Sequence, residues 1–154
     1  MRVNETAHLF MSRSPKLDVC DCNCNALRRA ARRVSNFYDA GLAPSGLKVT
    51  QFIILATLSR LGEASVNVLA ENLDLDRTTT GRNLLPLEKA GLINVASSAS
   101  DGRLRTITLS RKGSEKLKET LPLWRRAQSK FENDNGPGRT AVLRKMLAEL
   151  KIKN

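Results

Sequence analysis

A run of hydroxyl, amide and guanidinium side chains between residues 77 and 83 has the chemistry of a phosphate-binding surface. Its members are Arg77, Thr78, Thr79, Thr80, Gly81, Arg82 and Asn83. The preceding Asp76 is a favourable N-cap, so the run is expected to form the first turns of a helix. Small polar side chains let a helix start approach phosphates, and its free amides attract anions. The pattern predicts contact with double-stranded DNA.

A second set of charged residues, Asp101, Arg103 and Arg105, lies in and beside a polar loop between two predicted strands. An Arg at the tip of a hairpin can enter a narrow minor groove, where the potential of DNA is most negative. Asp101 can hold that Arg by a charge-assisted hydrogen bond. Any one of these Arg residues is equally well interpreted as a solubilising surface charge. Their joint placement on a helix start and a hairpin favours DNA binding.

Hydrophobic spacing predicts the helices that position the first set. One helix runs from residue 25, and the next is apolar almost all round and ends before Gly62. Ser65 caps a short third helix. The fourth spans 77 to about 90 and stops at Gly91, where glycine tolerates a left-handed conformation.

The second half of the chain is predicted to hold a hairpin and two helices. Short strands around 92–95 and 104–109 flank a loop rich in turn-forming residues. A long helix over 111–132 contains Pro122, which should kink it. A Gly- and Pro-rich break beginning at Asn133 separates it from a last helix over 140–152.

This order of elements is typical of a winged helix-turn-helix, in which the second of two short helices enters the major groove. We expect a mainly α fold with a small β-hairpin wing, flanked by N- and C-terminal dimerisation helices. The expected segments are a mobile N-terminal arm (1–19), an N-terminal dimerisation helix and turn (20–47), the DNA-binding domain (48–110) and C-terminal dimerisation helices (111–154).

The dimer is expected because the terminal helices carry more apolar surface than a compact winged domain needs. Folding back into an ordinary monomer core is the other interpretation. A two-fold dimer predicts a palindromic operator with half-sites one helical turn apart.

The composition is that of an ordinary globular protein with a basic surplus. The chain has 154 residues and a formal net charge of +11, which favours a polyanionic partner. Residues 111–154 hold twelve basic and five acidic residues, so most of the surplus lies outside the predicted reading head. No apolar run approaches the roughly 20 residues that cross a bilayer, so no membrane association and a cytoplasmic location are expected.

Four segments resemble the MarR family of transcriptional regulators. They are 69–73, 76–80, 87–93 and 101–113, of which the last carries the most specific pattern, D-x-R followed by L-[ST]-x-x-G. The resemblance implies an obligate homodimer with interdigitated terminal helices. It also implies DNA contacts from the helix that starts at Arg77 and from Arg103, and a response to small phenolic ligands, metals or oxidants.

Three closely spaced thiols, Cys20, Cys22 and Cys24, stand immediately before the first predicted helix. An odd number of cysteines without an export signal does not indicate a disulfide framework. Thiols near a helix start and near Arg28 and Arg29 can react with peroxide. Binding of a soft metal and simple packing remain open beside oxidant sensing.

Four aromatic residues, Phe37, Tyr38, Phe52 and Trp124, could line a pocket for a small-molecule inducer. Aromatic residues at helical spacing are more often core residues, so both interpretations stay open.

An enzyme is not expected, because the only His is His8 and no phosphate loop or nucleophile motif is present. We expect no cofactor and no metal site. The predicted function is a sequence-specific DNA-binding regulator, acting as a repressor that a small ligand or oxidant releases. A nonspecific DNA-binding or protein-binding winged-helix module is the alternative.

Overall fold

The computed structural model describes residues 22–97 and 105–151. The chain divides into two units, Met1–Val34 and Ser35–Asn154. Helix α1 spans Asn23–Leu42, and its residues 23–34 belong to the first unit. Every side chain of residues 23–34 is exposed or half-buried. The second unit contains the rest of α1 and all the other elements.

Helix α2 (Val49–Leu61) follows a 3-10 turn over Ala43–Ser45. It is apolar because it supplies much of the core, and its buried side chains are Phe52, Ile54, Leu55 and Leu58. Within the described residues, no single helix is long and apolar enough to cross a bilayer. Among the described residues, one bent pair, Asn23–Ser45 with Val49–Leu61, meets that test of length and composition across a 74° bend, and a buried core helix passes the same test.

Helices α3 (Val66–Leu73) and α4 (Arg77–Lys89) form the predicted helix-turn-helix. Ser65 caps α3, since its hydroxyl oxygen accepts a hydrogen bond from the Val68 amide at 3.2 Å. Asp74 ends α3 in the left-handed conformation with φ 51°, which Asp tolerates better than most residues. The predicted cap Ser65 therefore sets the start of α3, and the left-handed Asp74, which was not predicted as a cap, sets its end.

Three antiparallel strands form one sheet with the order β1-β3-β2, where β1 is Glu63–Ser65, β2 is Ile93–Ser97 and β3 is Arg105–Leu109. In the central register Ile107 lies opposite Ala64 on one side and Val95 on the other. Ile107 is fully buried against the α2–α4 core. The predicted hairpin is present, and the additional strand β1 was not predicted.

Helix α5 spans Arg111–Asn135 and α6 spans Pro137–Ala148. The predicted break at Asn133 was too early, because α5 continues to Asn135, whose side-chain amide donates to the Phe131 carbonyl oxygen at 2.9 Å. Gly136 makes the break with φ 87°, so α6 also begins earlier than predicted. The helix continues through Pro122, and the expected kink there stays a prediction.

Candidate nucleic-acid interface

Asp76 organises the start of α4. Its carboxylate accepts a hydrogen bond from the Thr79 amide at 2.8 Å and another from the Thr79 hydroxyl at 2.6 Å. Both bonds lower the pKa of Asp76, and the bond from the Thr79 hydroxyl has the larger effect. The cap thus fixes the direction in which the remaining free amides of the helix start point.

Thr80 does not face outward, although it was predicted to contact DNA. Its side chain is fully buried, and its hydroxyl donates to the Asp76 carbonyl oxygen at 2.9 Å. This bond satisfies the polar group inside the core, where an unpaired hydroxyl would be costly. Thr80 is therefore an anchor of α4, and its assignment as a contact was wrong.

The remaining predicted contacts on α4 fall into two groups. Arg77, Thr78 and Arg82 are exposed, whereas Thr79 and Asn83 are half-buried. The Thr79 hydroxyl is already engaged by the Asp76 cap. The first two turns of α4 thus present two guanidinium groups and one uncommitted hydroxyl to solvent.

The wing contributes Arg105, which is exposed at the start of β3. The predicted contacts Asp101 and Arg103 lie outside the described residues. Strand β3 is the central strand of the sheet, and Arg105 at its start pairs with Ser97 of β2.

The C-terminal end of α4 is tied to the start of α5. The Ser110 hydroxyl donates to the Gly91 carbonyl oxygen at 2.7 Å, and the Lys112 ammonium donates to the Ala90 carbonyl oxygen at 2.8 Å. Ser110 also caps α5 by accepting a hydrogen bond from the Gly113 amide at 2.9 Å. The end of α4 and the start of α5 therefore meet in one hydrogen-bonded junction, which sequence reasoning missed.

The predicted sensor thiols are only partly described. Cys22 and Cys24 are exposed free thiols, and Cys20 lies outside the described residues. Cys24 lies in the first turn of α1 rather than before it, because the helix begins at Asn23. Among residues 22–97 and 105–151, no group of three or more His, Cys, Asp or Glu side chains could hold a metal ion.

The predicted pocket residues separate into two aromatic pairs. Phe52 of α2 stacks on Trp124 of α5, with ring centroids 5.8 Å apart and planes 21° apart. Phe37 and Tyr38 of α1 instead pack on Phe131 of α5, at 5.8 and 6.0 Å. Phe131 was missed because it lies just before the predicted break. One cavity of about 420 Å³ is lined by Phe37 but by none of the other three predicted residues.

A chain of polar contacts joins three helices beside the second pair. The Tyr38 hydroxyl donates to the Gln128 side-chain oxygen, and the Gln128 amide donates to Glu132 at 2.8 Å. Arg144 of α6 donates to the same Glu132 oxygen at 2.9 Å. Burial, and then the negative charge of Glu132, raise the pKa of Tyr38, so its hydroxyl stays a donor.

Residues 47–104 match the family model of the MarR family. The chain is 36% identical to the HTH-type transcriptional regulator YxaD of Bacillus subtilis over 72 residues. These aligned residues cover 47% of this chain and 50% of YxaD. The chain thus aligns with only half of that curated relative.

Solved structures match over more of the chain. The DNA-bound transcriptional regulator MosR of M. tuberculosis shares 36% sequence identity at a TM-score of 0.72, covering 82% of this chain and 93% of MosR. The transcriptional repressor CouR, bound to a 23-mer DNA duplex, shares 27% identity at a TM-score of 0.75, covering 84% and 92%.

Proposed function

The chain belongs to the MarR family of transcriptional regulators, and on this basis we propose that it binds a palindromic operator as a homodimer and represses transcription. A small ligand or an oxidant then releases it. The family and the structural neighbours are transcription regulators and not enzymes. MosR is bound to DNA, which supports the proposal that this chain binds DNA. CouR is a repressor bound to DNA, which supports the proposal that this chain represses transcription. The proposed location is the cytoplasm.

One observation carries the DNA-binding part. Arg77, Thr78 and Arg82 are exposed on the first two turns of α4, while Thr80 and the Asp76 cap hold that helix start in place. A fixed helix start with cations and a small hydroxyl suits a major groove about 12 Å wide. We assign residues 48–110 to DNA binding, with Asn83, Arg105, Asp101 and Arg103 as further contacts.

A salt titration on two duplexes tests this part. One duplex carries a sequence selected by the protein from a random pool, and the other has the same composition in scrambled order. Affinity for both should fall with salt, because phosphate contacts release counterions, but only the selected duplex should keep a tighter Kd at each salt concentration. Equal affinities would leave a nonspecific DNA-binding module. No affinity for either duplex would favour the protein-binding alternative.

The homodimer is supported by the apolar side chains that α6 and the segment after it expose. Those that remain 46–63% exposed in the single chain are Val142, Leu143, Met146, Leu147 and Leu150. An unpartnered apolar row of this length is typical of a surface that meets a second copy. We therefore assign residues 20–47 and 111–154 to dimerisation. Light scattering should give twice the mass of one 17.0 kDa chain.

The proposal that an oxidant releases the operator rests on exposed thiols. Cys22 and Cys24 are free and open to solvent at the start of α1, as peroxide attack on a thiolate requires. Peroxide should weaken operator binding by the wild-type chain. A triple variant with Ser at positions 20, 22 and 24 should bind the operator equally well and not respond. A retained response would overturn this part of the proposal.

The proposal that a small ligand releases the operator rests on the cavity of about 420 Å³ beside Phe37, which is large enough for a small phenol. Arg126 and Lys130 also line it, so a phenol that carries a carboxylate suits it best. Such compounds should release the operator from the wild-type chain. Phe37→Ala should weaken that response, and an unchanged response would remove the cavity from the mechanism.

A further inference from the structure

The outward face of α4 carries one aliphatic side chain in a row of polar ones. Thr80, Leu84 and Leu87 are buried and define the inward face. At about 100° of rotation per residue, the opposite row can be read directly from the sequence. Its members are Thr78, Arg82, Leu85 and Lys89. All four are exposed, and Leu85 retains 52% of its accessible surface.

Leu85 stands between two cations on this row. Arg82 precedes it by three residues and Lys89 follows it by four, so both are its neighbours on the helix surface. One exposed Leu means little by itself. Here the flanking cations indicate an anionic partner, and a partner that covers both of them also covers Leu85. That partner must therefore present an apolar group between its charges.

The major groove of DNA supplies both chemistries. Its phosphates suit Arg82 and Lys89, and the C5-methyl group of thymine is the apolar group among its base edges. We propose that Leu85 packs against the C5-methyl group of a thymine and thereby selects an A·T pair at one position of each half-site. This assignment rests on the proposed function.

The position of Leu85 along α4 predicts how far its base pair lies from the base pair that Thr78 contacts. Leu85 follows Thr78 by seven residues, a rise of about 10 Å along the helix. Successive base pairs are about 3.4 Å apart, so with α4 lying along the groove Leu85 would face a pair about three steps from the one that faces Thr78. The two side chains consequently specify different positions of the half-site.

Replacing thymine by uracil removes only the C5-methyl group and so isolates this contact. Duplexes selected by the full-length chain from a random pool provide the operator, and each thymine of a half-site is replaced in turn. At one position, wild-type affinity should fall about two- to fivefold, which corresponds to the ~0.8 kcal/mol of one buried carbon group. Leu85→Ala should bind the thymine and uracil duplexes equally there. Leu85→Met, which keeps an apolar side chain, should retain the preference for thymine.

A matched control is available outside α4. Ile53 of α2 is also aliphatic and 45% exposed, so Ile53→Ala removes a similar exposed group. This variant should keep the wild-type response to uracil. Circular dichroism of Leu85→Ala should show an intact helix, because Leu85 is outside the core and alanine has the best helix propensity.

The outcomes distinguish the role of Leu85 from the proposed sequence-specific DNA binding. The same uracil response in wild type and Leu85→Ala, or no uracil-sensitive position in wild type, overturns the role of Leu85 and leaves sequence-specific binding standing. A loss of affinity in Leu85→Ala without a changed uracil response means contact with sugar or protein, and it also overturns the thymine assignment. Equal affinity of wild type for selected and scrambled duplexes overturns the proposed function itself.

Discussion

Gly113 lies against Leu92 so closely that a Cβ atom added to Gly113 would stand 1.9 Å from the Leu92 carbonyl oxygen. The same carbonyl oxygen accepts a hydrogen bond from the Ser110 amide at 3.1 Å. Leu92 precedes β2, and Gly113 lies in the first turn of α5. The backbone of the wing and the backbone of α5 are therefore in direct contact, and α4 joins them through the carbonyl of Ala90.

Gly113→Ala should destabilise the protein by about 1–3 kcal/mol, because the added methyl group meets backbone that cannot rotate away. In an ordinary helix the same change stabilises by roughly 1 kcal/mol, so the sign of the effect is informative. Urea unfolding followed by circular dichroism measures it.

The control for this prediction is Gly138→Ala in α6, where an added Cβ atom meets nothing within 4 Å. That variant should be as stable as wild type or slightly more so. A Gly113→Ala protein that is also at least as stable as wild type would contradict the close packing.

Local chemistry explains why the sequence predicted the helix-turn-helix well. Ser65, Asp76 and Ser110 are caps whose partners lie three residues away, so their signals are complete within a short segment. Gly91 likewise ends α4 with φ 68°. The winged fold followed from these signals and from the hydrophobic spacing, whereas the family resemblance rests on the motifs in segments 69–73, 76–80, 87–93 and 101–113.

The features that sequence reasoning missed depend on distant or newly formed partners. Strand β1 has only three residues and exists because Ala64 pairs with Ile107 far along the chain. Thr80 looks like its neighbour Thr79 in the sequence, but the packed helix turns it inward. Four aromatic residues that could have lined one pocket are separated by the packing of α5, because Trp124 meets α2 and Phe131 meets α1.

Gly81→Ala should separate stability from DNA binding. An added Cβ atom at Gly81 meets nothing within 4 Å, and the residue lies inside α4, so stability should rise by roughly 1 kcal/mol. If the glycine is present so that DNA can approach the helix backbone, operator affinity should fall at the same time. Thermal unfolding and fluorescence anisotropy on the same samples measure the two effects.

The comparison for Gly81→Ala is again Gly138→Ala, which should be as stable as wild type or slightly more so and should keep its operator affinity. Increased stability together with unchanged affinity at position 81 would show that DNA does not come close to this part of α4.

Asp76→Asn should make the stability of the folded protein less dependent on pH in the acidic range. The pKa of Asp76 is lowered in the folded protein, chiefly by the Thr79 hydroxyl and amide, so the unfolded chain binds the proton more readily. The carboxylate thus stabilises the fold above its ordinary pKa of about 3.9, and this contribution is lost as the pH falls through the lowered value. Asn still caps a helix but does not titrate.

Melting temperatures between about pH 7 and pH 3 check this linkage. Wild type should be the more stable protein at neutral pH, and the difference from Asp76→Asn should shrink on acidification. Asp74→Asn, the same chemical change two residues away at a carboxylate that does not cap α4, is the matched control. A difference from wild type that is constant over the whole range would contradict the assignment.

Arg77→Ala should weaken operator binding and change its salt dependence. Arg77 is exposed at the first position of α4, where a guanidinium group reaches phosphates. Removing one phosphate contact lowers the slope of log affinity against log salt by about one unit. Lys151→Ala, an exposed cation after α6, is the control and should leave the slope unchanged. Equal slopes for all three proteins would exclude Arg77 from the phosphate contacts.

A double variant, Leu143→Asp with Leu147→Asp, should convert the proposed homodimer to monomers. The two side chains are four residues apart on one face of α6, and each is 46% exposed in the single chain. Burying two carboxylates in an apolar interface costs far more than such an interface can supply. Light scattering should therefore give the 17.0 kDa mass of one chain at micromolar concentration.

The matched control for the double variant is Lys145→Asp, because Lys145 lies on the opposite face of α6. It should stay dimeric. The monomeric double variant should also lose most of its operator affinity, since each half-site is then bound without help from the other. If the double variant keeps twice the mass of one chain, α6 is not the interface, and the palindromic operator loses its structural support.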